Sequence, residues 1–117
     1  MTDANFQMHL RESKLPIIAV FFAEWSGSCH LLAPVLRSLS VEYRNRLIVG
    51  RLDVDTNRKI TESCHIHTLP TLLFFQNGQE QNRIIGLSPR HVIENKLQRI
   101  LNMTEIEPSG GESCNAH

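Results

Sequence analysis

The residues that could carry chemistry lie in two short segments. Residues 25–29 read Trp-Ser-Gly-Ser-Cys and are followed by His30, whereas residues 64–67 read Cys-His-Ile-His. A cysteine thiolate is both a nucleophile and a metal ligand, and histidine also binds zinc or copper. The chain therefore offers a candidate thiol site at Cys29 and a candidate metal site near Cys64.

Both segments also have simpler interpretations. Residues 64–67 lack a second pair of metal ligands nearby in the sequence, although Cys29 and His30 could lie across from them. We therefore favour the interpretation that Cys64 is a partly buried structural cysteine and that the neighbouring histidines face solvent. We expect no metal and no cofactor. Ser26 and His30 could share a helix face as in a serine hydrolase, but no third, orienting acid is apparent. A serine at a helix start more often caps the helix.

The composition sets the class of protein. The chain has 117 residues, 41% of them hydrophobic, with 12 basic against 12 acidic side chains. This length suits one compact domain, and the balanced charge gives no basic surface for nucleic acid or an anionic membrane. Three cysteines are too few for a disulfide-rich scaffold.

Targeting signals are not apparent in the sequence. The N-terminus carries Asp3 but no basic segment followed by an apolar one. The longest apolar run, residues 17–23, is far below the ~20 residues that span a bilayer. We therefore expect a cytoplasmic protein that does not enter a membrane.

Hydrophobic periodicity predicts the element order α-β-α-β-α-β-β-α. Residues 17–22 are apolar on both faces, as in the centre of a covered sheet, and Asn77-Gly78 is a hairpin signal. This order predicts an α/β fold with parallel strands first and an antiparallel hairpin last. The predicted strands cover residues 17–22, 47–54, 71–75 and 81–85; the helices cover residues 6–14, 27–43 and 57–64, plus a final helix capped by Ser88.

The chain divides unevenly into a domain and a tail. Residues 1–103 carry all of the periodic segments and are predicted to form the one folded domain. Residues 104–117 turn to Gly, Ser, Glu, Pro and Asn and are predicted to be a disordered tail.

Several spaced motifs agree in register. Residues 22–29 read Phe-Ala-Glu-Trp-Ser-Gly-Ser-Cys, residues 31–34 Leu-Leu-Ala-Pro, residues 52–55 Leu-Asp-Val-Asp and residues 68–71 Thr-Leu-Pro-Thr. With Asn77-Gly78 and Gly86, they resemble the thioredoxin family over roughly residues 2 to 102. The resemblance implies a thioredoxin-like fold with a mixed sheet of about four strands, a cis-proline at Pro70 and a role in thiol–disulfide redox homeostasis.

The resemblance also implies a groove that holds an extended peptide. Its expected partner is a protein or peptide client, with a thioredoxin-reductase-like reductant if position 26 is naturally cysteine. We expect a monomer or a weak dimer. The implied substrate-binding residues are Trp25, Gly27, Ser28, Leu69, Pro70, Ile85 and Gly86.

Three features depart from the family pattern. Ser26 stands where the family has its nucleophilic cysteine, and Val20 stands where it has a buried aspartate. The family's first strand would precede Thr2, so we expect the strand over residues 47–53 to lie at a sheet edge.

The serine at position 26 decides the predicted chemistry. A dithiol cycle needs a thiolate nucleophile and a second, resolving sulfur, and a serine hydroxyl can be neither. Cys29 takes the position of the resolving sulfur, where we expect it to be buried and slow to react. The motif is thus an incomplete version of a disulfide oxidoreductase site, which leaves at most monothiol chemistry through Cys29 plus peptide binding.

Two alternatives to this prediction remain open. One is a non-catalytic interaction or chaperone-like module, and the other is a Cys-to-Ser active-site variant of an active protein-disulfide reductase. Cys114, in the predicted tail, is a candidate partner for Cys29 or for a client thiol under oxidation.

Overall fold

A computed structural model describes residues 1–102, which form four helices and four strands in the predicted order. The predicted tail and Cys114 lie outside the described residues. None of the helices in residues 1–102 has the length and apolar character needed to cross a bilayer. The elements are α1 (Phe6–Glu12), β1 (Ile17–Phe22), α2 (Gly27–Glu42), β2 (Ile48–Asp53), α3 (Arg58–Ser63), β3 (Thr71–Gln76), β4 (Gln79–Ile85) and α4 (Arg90–Leu101).

The strands form one mixed sheet in the order β2-β1-β3-β4. Strand β1 runs parallel to β2, with Ile17 opposite Ile48, and antiparallel to β3, with Ile17 opposite Phe75. Strand β4 pairs antiparallel with β3. The predicted α/β class is therefore confirmed, and within residues 1–102 strand β2 lies at an edge of the sheet, as expected.

Strand β1 is apolar along its whole length because both faces of the sheet are covered. Alternate residues point to opposite faces. Ile18 and Val20 point to one face of the sheet, where they pack in a buried cluster with side chains of helices α2 and α4. Ile17 and Phe21 point to the other face, where they pack in a buried cluster with side chains of α1 and α3. Strand β1 thus lies at the centre of the fold, and its C-terminal end leads directly into residues 25–29.

The hairpin between β3 and β4 follows the Asn-Gly signal. Asn77 and Gly78 have φ angles of 55° and 79°, the left-handed values that a tight two-residue hairpin turn requires. Because the turn has two residues, Gln79 pairs with Gln76 and β4 begins there, two residues before the predicted start. The strand register shifts between Phe74 and Phe75.

The prediction that Ser88 caps the last helix is wrong. Helix α4 begins at Arg90, and Pro89 occupies the N-cap position without a side-chain hydrogen bond to the helix. Pro89 has a φ of −67° and an extended ψ of 158°, so the chain enters the helix after the proline. Ser88 consequently lies one residue before the N-cap position, outside the first turn of α4.

Helix α3 is capped from a distant part of the chain. Asn57 is its N-cap residue, but its side chain makes no capping hydrogen bond. The carboxylate of Asp3 instead accepts hydrogen bonds from the backbone N–H groups of Ile60, at 2.9 Å, and Lys59, at 3.4 Å. Asp3 donates its own N–H to the Asn57 side-chain oxygen at 2.8 Å. These bonds hold the N-terminal residues against α3.

Candidate functional site

The turn between β1 and α2 is held by Ser26. Its backbone N–H donates to the Ala23 carbonyl at 3.1 Å, and its extended backbone, with φ −91° and ψ 116°, leads into the helix. The Ser26 hydroxyl accepts a hydrogen bond from the Cys29 N–H at 3.3 Å. Since the first N–H groups of a helix have no partner within it, this is an N-cap. Ser26 therefore has a structural role in addition to standing at the position of the family nucleophile.

Cys29 lies in the first turn of α2 and is buried, with 8% of its surface exposed. Its thiol is free. No sulfur is present at position 26, so a disulfide within residues 25–29 cannot form. Cys29 is the single sulfur of this turn, and chemistry here is limited to one thiol.

His30 does not activate Ser26. Its Nε2 lies 2.7 Å from the backbone oxygen of Glu24, and because a carbonyl can only accept, this nitrogen donates. The Ser26 hydroxyl is hydrogen-bonded to the Cys29 N–H. The geometry therefore does not form the Ser–His pair of a hydrolase.

The Cys64 segment lies away from this turn, at the end of α3. Cys64 is fully buried, whereas His65 and His67 are exposed. Among residues 1–102, no three histidine, cysteine or acidic side chains are grouped as a metal site would require. These residues therefore have no assigned role in the candidate site.

Trp25 is 70% exposed, yet its indole ring is tethered. The indole N–H donates to the carboxylate of Asp55 at 2.9 Å. Asp55 lies in the loop after β2, and its backbone N–H donates to the Asp53 carboxylate at 2.9 Å. Sequence reasoning did not assign Asp55 to the site, although it is the last residue of the Leu-Asp-Val-Asp motif.

The opposite side of the site is formed by the loop before β3 and the end of β4. The Leu69–Pro70 peptide bond is cis, and Pro70 accepts a hydrogen bond from the Gly86 N–H at 2.8 Å. Gly86 has a φ of 90°, which a residue with a side chain rarely adopts. Ile85 next to it is 63% exposed. This bond places Ile85 beside the proline loop.

The structure brings the two sides together at Cys29. Cys29 and Pro70 line one cavity of about 310 Å³, together with Val20. Val20 is 3% exposed, so the position where the family carries an acid is filled by an apolar side chain. Among the remaining predicted residues, Gly27 is exposed, while Ser28 and Leu69 are half-buried.

These features define a class of protein: an α/β domain in which a thiol in the first helical turn after a central strand lies beside a cis-proline loop. The thioredoxin family model matches residues 1–99. The chain belongs to the thioredoxin family, and it is a thioredoxin-family redox protein.

Three similar proteins each align with 86% of this chain, but the alignment covers different shares of their own lengths. Thioredoxin from Alicyclobacillus acidocaldarius is 35% identical over 86% of this chain and 95% of its own length. Thioredoxin 1 from Synechococcus elongatus is 31% identical, over 86% and 94%. A bifunctional thioredoxin reductase/thioredoxin from Mycobacterium leprae is 36% identical over 86% of this chain, and this chain spans 22% of that protein.

Proposed function

We propose that this protein binds extended segments of client proteins in the groove beside Pro70, and that its redox chemistry is at most a single-thiol reaction of Cys29. The observation that carries the proposal is the hydrogen bond from the Cys29 N–H to the Ser26 hydroxyl, 3.3 Å long. An oxygen that caps the helix occupies the place where a dithiol cycle requires the attacking sulfur. The protein would act within the thiol–disulfide system of the cytoplasm.

A complete dithiol cycle needs two sulfurs in sequence. The first attacks the client disulfide, and the second displaces the client from the resulting mixed disulfide. Ser26 cannot attack, because its hydroxyl has no accessible anion near neutral pH. Cys29 has no second sulfur in the turn to release it. A dithiol cycle within residues 25–29 is therefore excluded chemically.

The reaction that remains is a thiol–disulfide exchange that needs only one cysteine of this chain. The Cys29 thiolate attacks one sulfur of a client disulfide, the client S–S bond breaks, and the other client sulfur leaves as a thiolate. Cys29 and the client are then joined by a mixed disulfide, which an external low-molecular-weight thiol must cleave. With 8% of Cys29 exposed, this attack is expected to be slow.

The groove supports client binding because apolar side chains remain exposed on both of its sides. Trp25 is 70% exposed, Ile85 63% and Leu87 49%. Neighbouring apolar side chains that stay in water commonly form interaction surfaces. The proposed client-binding residues are Trp25, Gly27, Ser28, Leu69, Pro70, Ile85 and Gly86.

Insulin reduction with dithiothreitol tests the redox part. Because dithiothreitol can itself cleave the mixed disulfide between Cys29 and the client, we expect at most a slow rate above the dithiothreitol background for the unmodified chain, and Cys29→Ser should give none. A rate above background that persists in Cys29→Ser would contradict the proposal. Turnover by Ser26→Cys alone would favour the alternative that the chain is a Cys-to-Ser variant of an active reductase.

A peptide carrying a 5-thio-2-nitrobenzoate mixed disulfide separates single-thiol chemistry from binding. We expect the chain to release the coloured thiolate slowly, and Cys29→Ser to bind the same peptide without releasing it. Binding without release by both proteins would refute the single-thiol reaction and favour the non-catalytic interaction module. Loss of binding in Trp25→Ala, with fold intact, would place the peptide in the proposed groove.

A further inference from the structure

A cavity of about 310 Å³ lies between strands β1 and β2 and helix α2. Its wall contains Val20, Leu36 and Val49, so much of it is apolar. Val20 and Leu36 are buried, whereas Val49 on the edge strand is half-buried. The cavity therefore has a largely apolar lining that includes the edge strand β2.

Two exposed guanidinium groups lie on the wall of the cavity. Arg37 of α2 and Arg51 of β2 both line the cavity and are both exposed. Within residues 1–102 the ion pairs involve Arg83 and Arg90, so neither Arg37 nor Arg51 is neutralised by a carboxylate. Arg51 is also held in place, because its guanidinium lies 4.2 Å from the centre of the Phe22 ring.

The other ionisable groups at the cavity do not cancel this charge. Glu24 contributes one carboxylate, and His30 binds the Glu24 backbone oxygen through Nε2. The two guanidinium groups, Arg37 and Arg51, outnumber the one carboxylate, Glu24, so the wall of the cavity carries an excess of positive charge. A guanidinium presents several N–H donors in the geometry that a carboxylate accepts.

We propose that this cavity binds a small amphiphilic carboxylate, with its apolar chain against Val20, Leu36 and Val49 and its carboxylate at Arg37 and Arg51. The cavity reaches Cys29 and Pro70 of the candidate site, whereas the residues proposed to hold the carboxylate lie on α2 and β2. The proposal does not depend on the proposed function. Its ligand is a monocarboxylate with an unbranched or compact apolar body.

The cavity volume sets the size of the ligand. About 310 Å³ equals the liquid volume of roughly ten water molecules, at about 30 Å³ each. A molecule of roughly ten non-hydrogen atoms fits this space. Octanoate meets this requirement and is the probe that we choose.

Calorimetric titration with octanoate tests the proposal on the full chain. We expect a Kd below about 1 mM for octanoate and at least roughly tenfold weaker binding of octylammonium and octanol. Arg37→Gln/Arg51→Gln should weaken octanoate binding at least about fivefold. Arg58→Gln, which removes an exposed guanidinium on the other side of the sheet, should leave the affinity unchanged.

Two further measurements locate the ligand. Val49→Phe fills the cavity from the half-buried edge strand and should abolish octanoate binding, with urea unfolding confirming that the variant is folded. Amide chemical shifts should change at Ser40, Val49 and Arg51. Equal binding by Val49→Phe, equal affinity for octylammonium, or shift changes confined to Trp25 and Ile85 would each overturn the proposal.

Discussion

The indole N–H of Trp25 donates a hydrogen bond to the carboxylate of Asp55 at 2.9 Å, across 30 positions of the sequence. The bond joins the turn before α2 to the loop after β2. Because 70% of Trp25 is exposed, packing alone does not fix the ring. Asp55 therefore orients the largest apolar side chain of the proposed groove.

Removing this tether is expected to loosen Trp25 without unfolding the protein. In Asp55→Ala we expect lower fluorescence anisotropy of Trp25, which is the one tryptophan of the chain. Client-peptide binding should weaken by a factor of about 3 to 10, the effect of losing one ordinary hydrogen bond of roughly 0.5–1.5 kcal/mol. Asp55→Asn keeps an acceptor oxygen and serves as the matched control. Unchanged anisotropy in Asp55→Ala would show that the bond does not orient the ring.

The helix cap at Ser26 predicts a loss of stability in Ser26→Ala. The variant leaves the Cys29 N–H without its side-chain acceptor, and the loss of an N-cap costs about 1 kcal/mol of unfolding free energy. Urea denaturation monitored by circular dichroism measures this cost. Ser28→Ala, two residues along α2, should change the unfolding free energy by less than about 0.5 kcal/mol. Equal stability of the two variants would mean that the hydroxyl of Ser26 does not stabilise α2.

The tertiary cap on α3 predicts that Asp3→Ala destabilises the protein by about 1 kcal/mol. Two backbone N–H groups lose their acceptor, because the Asp3 carboxylate binds those of Lys59 and Ile60. Asp3→Asn should lose less, since its amide oxygen still accepts but carries no charge toward the positive end of the helix. Hydrogen exchange of the Ile60 amide checks this locally: exchange no faster than in the natural chain would contradict the assignment.

Acid is expected to weaken the contact between α2 and α4 through Glu94. The hydrogen bond from Arg90, and next that from Tyr43, lower the pKa of Glu94 below its ordinary value. A carboxylate with a lowered pKa stabilises the fold above its unfolded pKa of about 4.3, and that stabilisation is lost as the pH falls through the folded value. Glu94→Gln should therefore show a smaller fall of Tm below about pH 4.3 than the natural chain. Parallel Tm curves in the two proteins would refute this role.

Alkali is expected to act on the same contact through Tyr43. Burial, followed by its hydrogen bond to Glu94, raises the pKa of Tyr43 above its ordinary value. A group whose pKa is raised in the folded state stabilises the fold below its unfolded pKa, about 10, and loses that effect as the pH rises through the folded value. The stability difference between the natural chain and Tyr43→Phe should thus shrink above about pH 10. A constant difference up to the folded pKa, read from the phenolate absorbance, would contradict it.

Local sequence patterns predicted the elements but not how their ends are capped. The apolar run of β1 and the Asn77-Gly78 turn depend on neighbouring residues, so their prediction held in the structure. The residues that cap the helix N-termini could not be predicted from neighbouring residues. Ser88 is adjacent to α4 and yet lies outside its first turn, whereas Asp3 is more than fifty positions from α3 and binds its N–H groups.

Some features of the candidate site follow from the sequence, and others depend on the tertiary structure. The identity of residue 26 is a chemical fact of the sequence, and an oxygen there excludes a dithiol cycle within residues 25–29 in any fold. The partners of Trp25 and the cavity beside Cys29 depend on β1, β2 and the proline loop meeting in space.

The sequence by itself determined the order of the elements and the single thiol of the motif, because these follow from periodicity and from which atoms are present. Its resemblance to a known family implied the thioredoxin-like fold. The tertiary structure decided which groups come together: Asp55 with the Trp25 indole, Asp3 with α3, and Arg37 and Arg51 on the wall of one cavity. Such contacts join residues far apart in the chain, and their geometry is set by the packing of helices on the sheet rather than by neighbouring residues.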